Sequence, residues 1–317
     1  MVKPTKRRSS VSPSISKALR QQHEREALMA VLENERPSTS RNNVMTAHRR
    51  VIIMRHGERC DDVYSDFVQR GFDKDDTTFK RFDLNMPDKL AQRHEQPYAS
   101  KIDWQTDPPL SNMGHKTAAA VGAEFAHLKA YVDYVYSSPS IRCVQTASRF
   151  VEGFEKVVKR PEKLKVRVEG GLFEWLFNSG CVNPRFLNES DLAKGGLPVD
   201  LNYKCYLHGN KLQYNETFEE FNERGVQAIR HIMKDIPTGS TVLMVTHAPN
   251  FDLFNKYRGT GGTHMKRWHY LVSRVPYLYC IMYDEVSPNK WEMKPPPVCS
   301  FPYDSNDVYN WNNPGKP

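Results

Sequence analysis

Val51-Ile52-Ile53-Met54-Arg55-His56-Gly57-Glu58-Arg59 changes character between Met54 and Arg55. The apolar, β-branched run reads as a buried strand, and the glycine just past it as a sharp exit into a loop. In open α/β sheets, ligands bind outside the carboxyl ends of the strands. Two guanidiniums flanking one imidazole at such a place suit a phosphoryl group. Arg55 and Arg59 offer forked, permanently charged donors, and His56 can act as nucleophile or proton carrier near neutral pH.

Three later segments fit the same chemistry. Ser137-Ser138-Pro139-Ser140-Ile141-Arg142 follows the strand-like Tyr134-Val135-Tyr136 and opens a helix-like run from Cys143 to Phe150. Serines and a proline at a helix start expose free N–H groups that suit an anion, and Arg142 adds a third cation. Val242-Leu243-Met244-Val245-Thr246-His247 is again a buried strand ending on a histidine. Gly170-Gly171-Leu172-Phe173-Glu174-Trp175 sets one carboxylate among apolar and aromatic neighbours. Apolar surroundings raise a carboxyl pKa, as a general acid working near neutrality requires. Each segment alone has a plain structural explanation: an ion pair, a core histidine, a solvated turn. Two strand-end histidines with convergent arginines resist that explanation.

The ordered set RHGERCD at 55–61, LSNMG at 110–114, SSPSIRCVQTA at 137–147, VEGGLFEW at 168–175, VTHA at 245–248 and VPYLYC at 275–280 resembles the histidine phosphatase, or phosphoglycerate mutase-like, superfamily. Within it the chain is most similar to the phosphatase domain of the TULA (suppressor of T-cell receptor signalling) family and related insect steroid-phosphate phosphatases. The resemblance implies that His56 is a nucleophile forming a phosphohistidine. It implies that Arg55, Arg59, Arg142 and His247 surround the phosphoryl group, His247 also being catalytic. Glu174 then protonates the leaving oxygen and deprotonates the attacking water. The scheme needs no metal or other cofactor. Mutases of the superfamily usually carry a small hydroxyl residue where this chain has Arg59, which favours a phosphatase.

Cys143 to Arg149 also fits C-x5-R, the signature of cysteine-dependent phosphatases. That signature normally wraps phosphate in a glycine-containing loop preceded by histidine. Here Arg142 precedes the cysteine, glycine is absent and the run continues as a helix, so Cys143 is expected to pack as a small apolar side chain.

The net charge of +8 is unevenly placed, because residues 1–50 hold 11 Lys or Arg against 4 Glu. The remainder is nearly neutral, so no nucleic-acid partner is expected. The reading divides the chain into a basic, largely disordered head at 1–47 with a possible helix at 14–35, a phosphatase domain at 48–295, and a Pro-rich tail at 296–317. No apolar run approaches the ~20 residues that span a bilayer, so no membrane span is expected. No secretory signal is visible, and six cysteines lack CxxC spacing. A cytoplasmic setting fits, or a nuclear one through the basic head.

Strand and helix signals alternate along the body, which predicts an α/β three-layer sandwich with a mostly parallel central sheet. Helices are expected at 114–128 and 217–233, and a late strand at 277–283. The polar, aromatic stretches 62–104 and 177–211 are expected to be irregular and to form a specificity lid. In them or beside them, Tyr64, Phe67, Trp104 and Trp175 are candidates to stack on an aromatic or steroid-like leaving group. The expected activity is metal-independent hydrolysis of a phosphomonoester, on a phosphorylated protein (phosphotyrosine) or a small-molecule aryl or steroid phosphate. The alternatives are a weakly active or inactive scaffold of the same fold and a sugar-phosphate mutase or bisphosphatase. The resemblance also implies a homodimer.

Overall fold

The computed structural model describes residues 48–72, 78–90, 101–176, 184–213, 215–262, 265, 268 and 273–298, all within one compact unit. The head with its expected helix, and the tail beyond 298, lie outside the described residues.

Six strands form one sheet: β1 Arg50–Arg55, β2 Tyr134–Ser137, β3 Val166–Val168, β4 Thr241–Thr246, β5 Cys280–Ser287 and β6 Lys290–Lys294, in the order β3-β2-β4-β1-β5-β6. The first four of that order run parallel, while β5 is antiparallel to β1 and β6 to β5. Three long helices, α1 Asn112–His127, α2 Ile141–Val157 and α3 Phe218–Lys234, and the short α4 Leu253–Tyr257 pack about the sheet. The short alternation of β1 sorts them into layers, because successive strand residues face opposite sides. Val51 and Ile53 join Met244, Tyr283 and the α3 residues Phe221, Ile229 and Ile232 in one core. Ile52 and Met54 join Leu243, Val245, Phe125 of α1 and Phe150 of α2 in the other. The three-layer, mostly parallel sandwich is thus present as expected. Among the described residues no helix is long and apolar enough to cross a membrane.

Local signals set the helix ends. The Ser111 hydroxyl accepts from Gly114 N at 3.0 Å at the start of α1. Thr217 and Glu220 form a reciprocal capping box at the start of α3. The late strand begins at Cys280 rather than Tyr277, since residues 277–278 form a turn in which Leu278 takes φ 59°.

Strand register places the site. Arg55 pairs with Thr246, and Ser137 with Val245, so β1, β2 and β4 end at one level. His56 N donates to Thr246 O at 2.9 Å and Ser138 N to Val245 O at 3.0 Å. Those bonds bring His56, Ser138 and His247, each just past its strand, to the same edge.

Candidate active site

His56 is almost wholly buried, and its Nδ1 lies 2.8 Å from Gly57 O. A carbonyl only accepts, so Nδ1 carries the proton and Nε2 keeps its lone pair. Gly57 N in turn donates to Thr146 Oγ1 at 2.9 Å, and that hydroxyl donates to Arg142 O at 2.7 Å, tying the loop to α2. Burial, and then the charges of Arg142 and Arg55, hold the His56 imidazole well below 6.5. The ring is therefore neutral at physiological pH.

Arg55 lies over the Tyr277 ring at 4.3 Å and donates to Val275 O. Burial lowers its pKa to about 10, which leaves it charged at neutral pH. Arg59 donates through Nε to Asp61 Oδ1 at 2.8 Å and pairs through Nη2 with Asp61 and, at 3.6 Å, with Asp62. Burial opposes its charge, but the bonds and charge of Asp61 outweigh it and raise the Arg59 pKa.

Arg142, at the first turn of α2, is buried among three partners. Nη2 meets Glu174 Oε1 at 2.5 Å and donates to His247 Nδ1 at 3.2 Å. Nη1 lies 3.5 Å from Asp107 Oδ1. Since a guanidinium only donates, His247 Nδ1 accepts, and Nε2–H is left to donate to Ser138 Oγ at 2.8 Å. Burial and the Arg142 charge hold His247 well below 6.5 too. The His56 and His247 rings stand edge to face with centroids 5.4 Å apart. Arg55, Arg59, Arg142, His247 and Glu174 are thus gathered about one imidazole.

Two expectations change in detail. The start of α2 does not present a free N–H at Ile141, because both Asp107 carboxylate oxygens accept from it at 3.0 and 3.2 Å. Glu174 does not sit among apolar groups alone, since Arg142 and, at 3.4 Å, His247 Nδ1 face its carboxylate. Trp175, beside it in sequence, turns the other way into the core.

The aromatic candidates divide. Phe67 (1 % exposed) and Trp104 (2 %) pack with Cys60, Val68, Phe72 and Met86 in a small core of their own. Trp175 (7 %) donates to Glu216 O at 2.9 Å and packs edge-on against Phe218 and Trp268. These three rings are spent on packing and offer no open face. Tyr64 stays half-exposed, with its hydroxyl donating to Asp83. Among its described residues the 62–104 stretch holds a short helix at Phe67–Gly71 and the start of another, Lys101–Thr106. Cys143 is buried and its thiol is pushed up to about 12 by burial, while Arg149 lies on the surface against Glu152, so the C-x5-R match has no phosphate loop.

Sequence reading gave no role to Asp107, Thr146, Ser138 and Tyr277. Tyr277, Ser138 and Thr146 lay in quoted motifs, and Asp107 did not. The Tyr277 ring is half-buried, 5.7 Å from the His56 ring, with its hydroxyl on Asp62.

A family model for the histidine phosphatase superfamily (branch 1) matches residues 93–270, more than half of the chain. The chain belongs to that superfamily. It is 30% identical over 268 residues to ubiquitin-associated and SH3 domain-containing protein B of Mus musculus, covering 83% of this chain and 41% of that protein. It is 31% identical over 271 residues to the ecdysteroid-phosphate phosphatase of Drosophila melanogaster, covering 84% of this chain and 34% of that one. The chain thus spans about two fifths or less of the length of these relatives. Among solved structures, it matches the Bombyx mori ecdysone phosphate phosphatase in complex with tungstate at TM-score 0.68 and 29% identity, covering 83% of this chain and 98% of that one. The superfamily match begins beyond His56, so it is the sheet register that joins the Arg55–Arg59 loop to the matched Arg142, Glu174 and His247.

Proposed function

We propose that this chain is a phosphatase that hydrolyses phosphate monoesters through a covalent adduct on His56. The observation that carries the reading is the state of that ring, neutral, with its proton on Nδ1 and its lone pair on Nε2, and acted on by the charges of Arg142, Arg55 and Arg59. In the first step Nε2 attacks phosphorus, the bond to the leaving oxygen breaks, and Glu174 gives that oxygen its proton. In the second, Glu174 takes a proton from water, whose oxygen attacks phosphorus and breaks the P–N bond. Inorganic phosphate leaves and His56 regains its lone pair. Splitting the displacement lowers each barrier. Arg55, Arg59 and Arg142 stabilise charge on the transferring group, and one well-placed cation is worth ~10³-fold or more in such reactions. His247 orients Arg142 in the free protein. An entering dianion offsets the arginine charges and favours a protonated His247 that donates to phosphate.

The guanidiniums supply the positive charge, so turnover should not respond to chelators. His56→Ala should abolish hydrolysis of an aryl phosphate, and rapid acid-free quenching of enzyme turning over ³²P-labelled substrate should trap label on His56. Turnover with no label on that ring would overturn the mechanism. For the leaving group the reading is an aromatic or steroid-like alcohol, supported by the Tyr277 ring beside His56 and by the names of the insect relatives. A panel of phosphotyrosine peptides, sterol phosphates and sugar phosphates tests it, and faster turnover of sugar phosphates would count against it. Pairing of two catalytic units belongs with these proposals, and sedimentation of the purified chain tests it.

A further inference from the structure

Glu174 sits on irregular backbone, yet the four carbonyls from Gly171 to Glu174 are all met by side-chain donors from elsewhere in the chain. Arg224 on α3 donates through Nη1 to Gly171 O and Phe173 O, each at 3.0 Å, and through Nη2 to Glu174 O at 3.4 Å. Thr246 Oγ1 and Asn250 Nδ2 donate to Leu172 O at 2.7 and 2.6 Å. A buried loop must satisfy its backbone in some such way, but here one guanidinium serves three of the four carbonyls. That guanidinium is itself fixed. Its Nε and Nη2 reach the two carboxylate oxygens of Glu216 at 2.8 and 2.5 Å, in a pair that is almost wholly buried. Trp175, the next residue after Glu174, is anchored to the backbone carbonyl of the same Glu216. The turn also lies hard against α3, since a Cβ on Gly171 would collide with that of Ala228.

We propose that Arg224, clamped by Glu216, is a positioning residue that fixes the backbone of Glu174 and so aims its carboxyl at the leaving oxygen. Arg224 donates to the turn carbonyls, not to the groups that hold phosphate. Its loss should therefore fall on proton transfer to the leaving group and spare the binding of the phosphoryl group. This inference rests on Glu174 being the general acid.

The test compares p-nitrophenyl phosphate, whose alcohol departs without help, with phenyl phosphate, whose alcohol needs a proton. The variants are Arg224→Lys, Glu216→Gln and Glu174→Gln, and competitive inhibition by inorganic phosphate is measured alongside. General acids typically contribute 10²- to 10⁴-fold. Arg224→Lys should therefore lose at least about tenfold more kcat/KM, which reports the first transfer, on phenyl phosphate than on p-nitrophenyl phosphate, with the phosphate inhibition constant unchanged. Glu216→Gln, the milder change should Arg224→Lys fail to fold, should show the same bias at smaller size. Equal losses on both substrates in a folded Arg224 or Glu216 variant, with Glu174→Gln still biased, would overturn the positioning role alone. No bias in Glu174→Gln would overturn the general-acid reading, and this inference with it.

Discussion

Asp107 shows how much a single side chain can decide at this site. It is fully buried, accepts from the first N–H of α2 and pairs with Arg142. Removing one partner of a buried pair strands the other charge and usually costs 3–5 kcal/mol. Asp107→Ala should accordingly lower unfolding stability by about 3 kcal/mol, read from urea titration, and should weaken inhibition by inorganic phosphate as Arg142 loses its support. Cys143 gives the opposite case. Its thiol, raised to about 12 by burial, stays protonated at neutral pH and cannot serve as a nucleophile. Cys143→Ala should keep turnover within a few-fold of the parent, and loss comparable to that of His56→Ala would revive the cysteine chemistry. Local rules revealed the arginines and histidines because their residue types announce phosphate chemistry. Asp107 and Arg224 escaped because a lone acid or base in sequence looks like any solvated charge.

Between elements, the closest approach is the crossing of α1 and α2. A Cβ on Gly122 would run into the backbone carbonyl of Phe150, and one on Gly153 into that of Ala119. The helices meet backbone to backbone there, through the middle of α2. Overpacking a tight contact typically costs 1–3 kcal/mol. Gly122→Ala should therefore lower stability by about 2 kcal/mol, visible as a reduced melting temperature, because the partner atoms are backbone and cannot turn aside. At the start of α3, Thr217→Ala removes one arm of the capping box and should cost about 1 kcal/mol. The helix at 217–233 was expected without its cap, although Thr217 and Glu220 stand three apart before an apolar periodic run. The aromatic stretch 62–104 misled. Aromatic side chains in a polar segment can line a ligand site or build a local core, and Phe67 and Trp104 chose the core.

For the whole molecule, the buried His56 and His247 and the partly buried His115 couple folding to pH. His56 and His247 are held well below 6.5, and His115 is pushed down to about 4 by burial and by Arg149. Unfolded, each takes a proton near its ordinary value of 6.5. Below that pH the unfolded chain binds more protons than the folded one, so stability should fall as pH drops. Each site contributes up to about 1.4 kcal/mol per pH unit until its folded value is reached. Asp62, raised above 3.8 chiefly by burial, opposes this with a single group. Urea unfolding at pH 7.5 and 5.5 should show the loss, and His56→Gln should flatten the slope by about one proton. An unchanged slope in that variant would mean the ring titrates normally when folded. The chain order of residues determined the alternation that buries β1 on both faces, the helix caps, and the strand-end positions of His56 and His247, because all of these depend on neighbours within a few residues. Only the tertiary structure decided which carboxylate faces Arg142, that Arg224 holds the Glu174 turn, and that three of four candidate rings are core. The Arg142–Glu174 and Arg224–Gly171 pairings join residues 32 and 53 apart, and which distant segments meet is set by strand order and layer packing rather than by any local pattern.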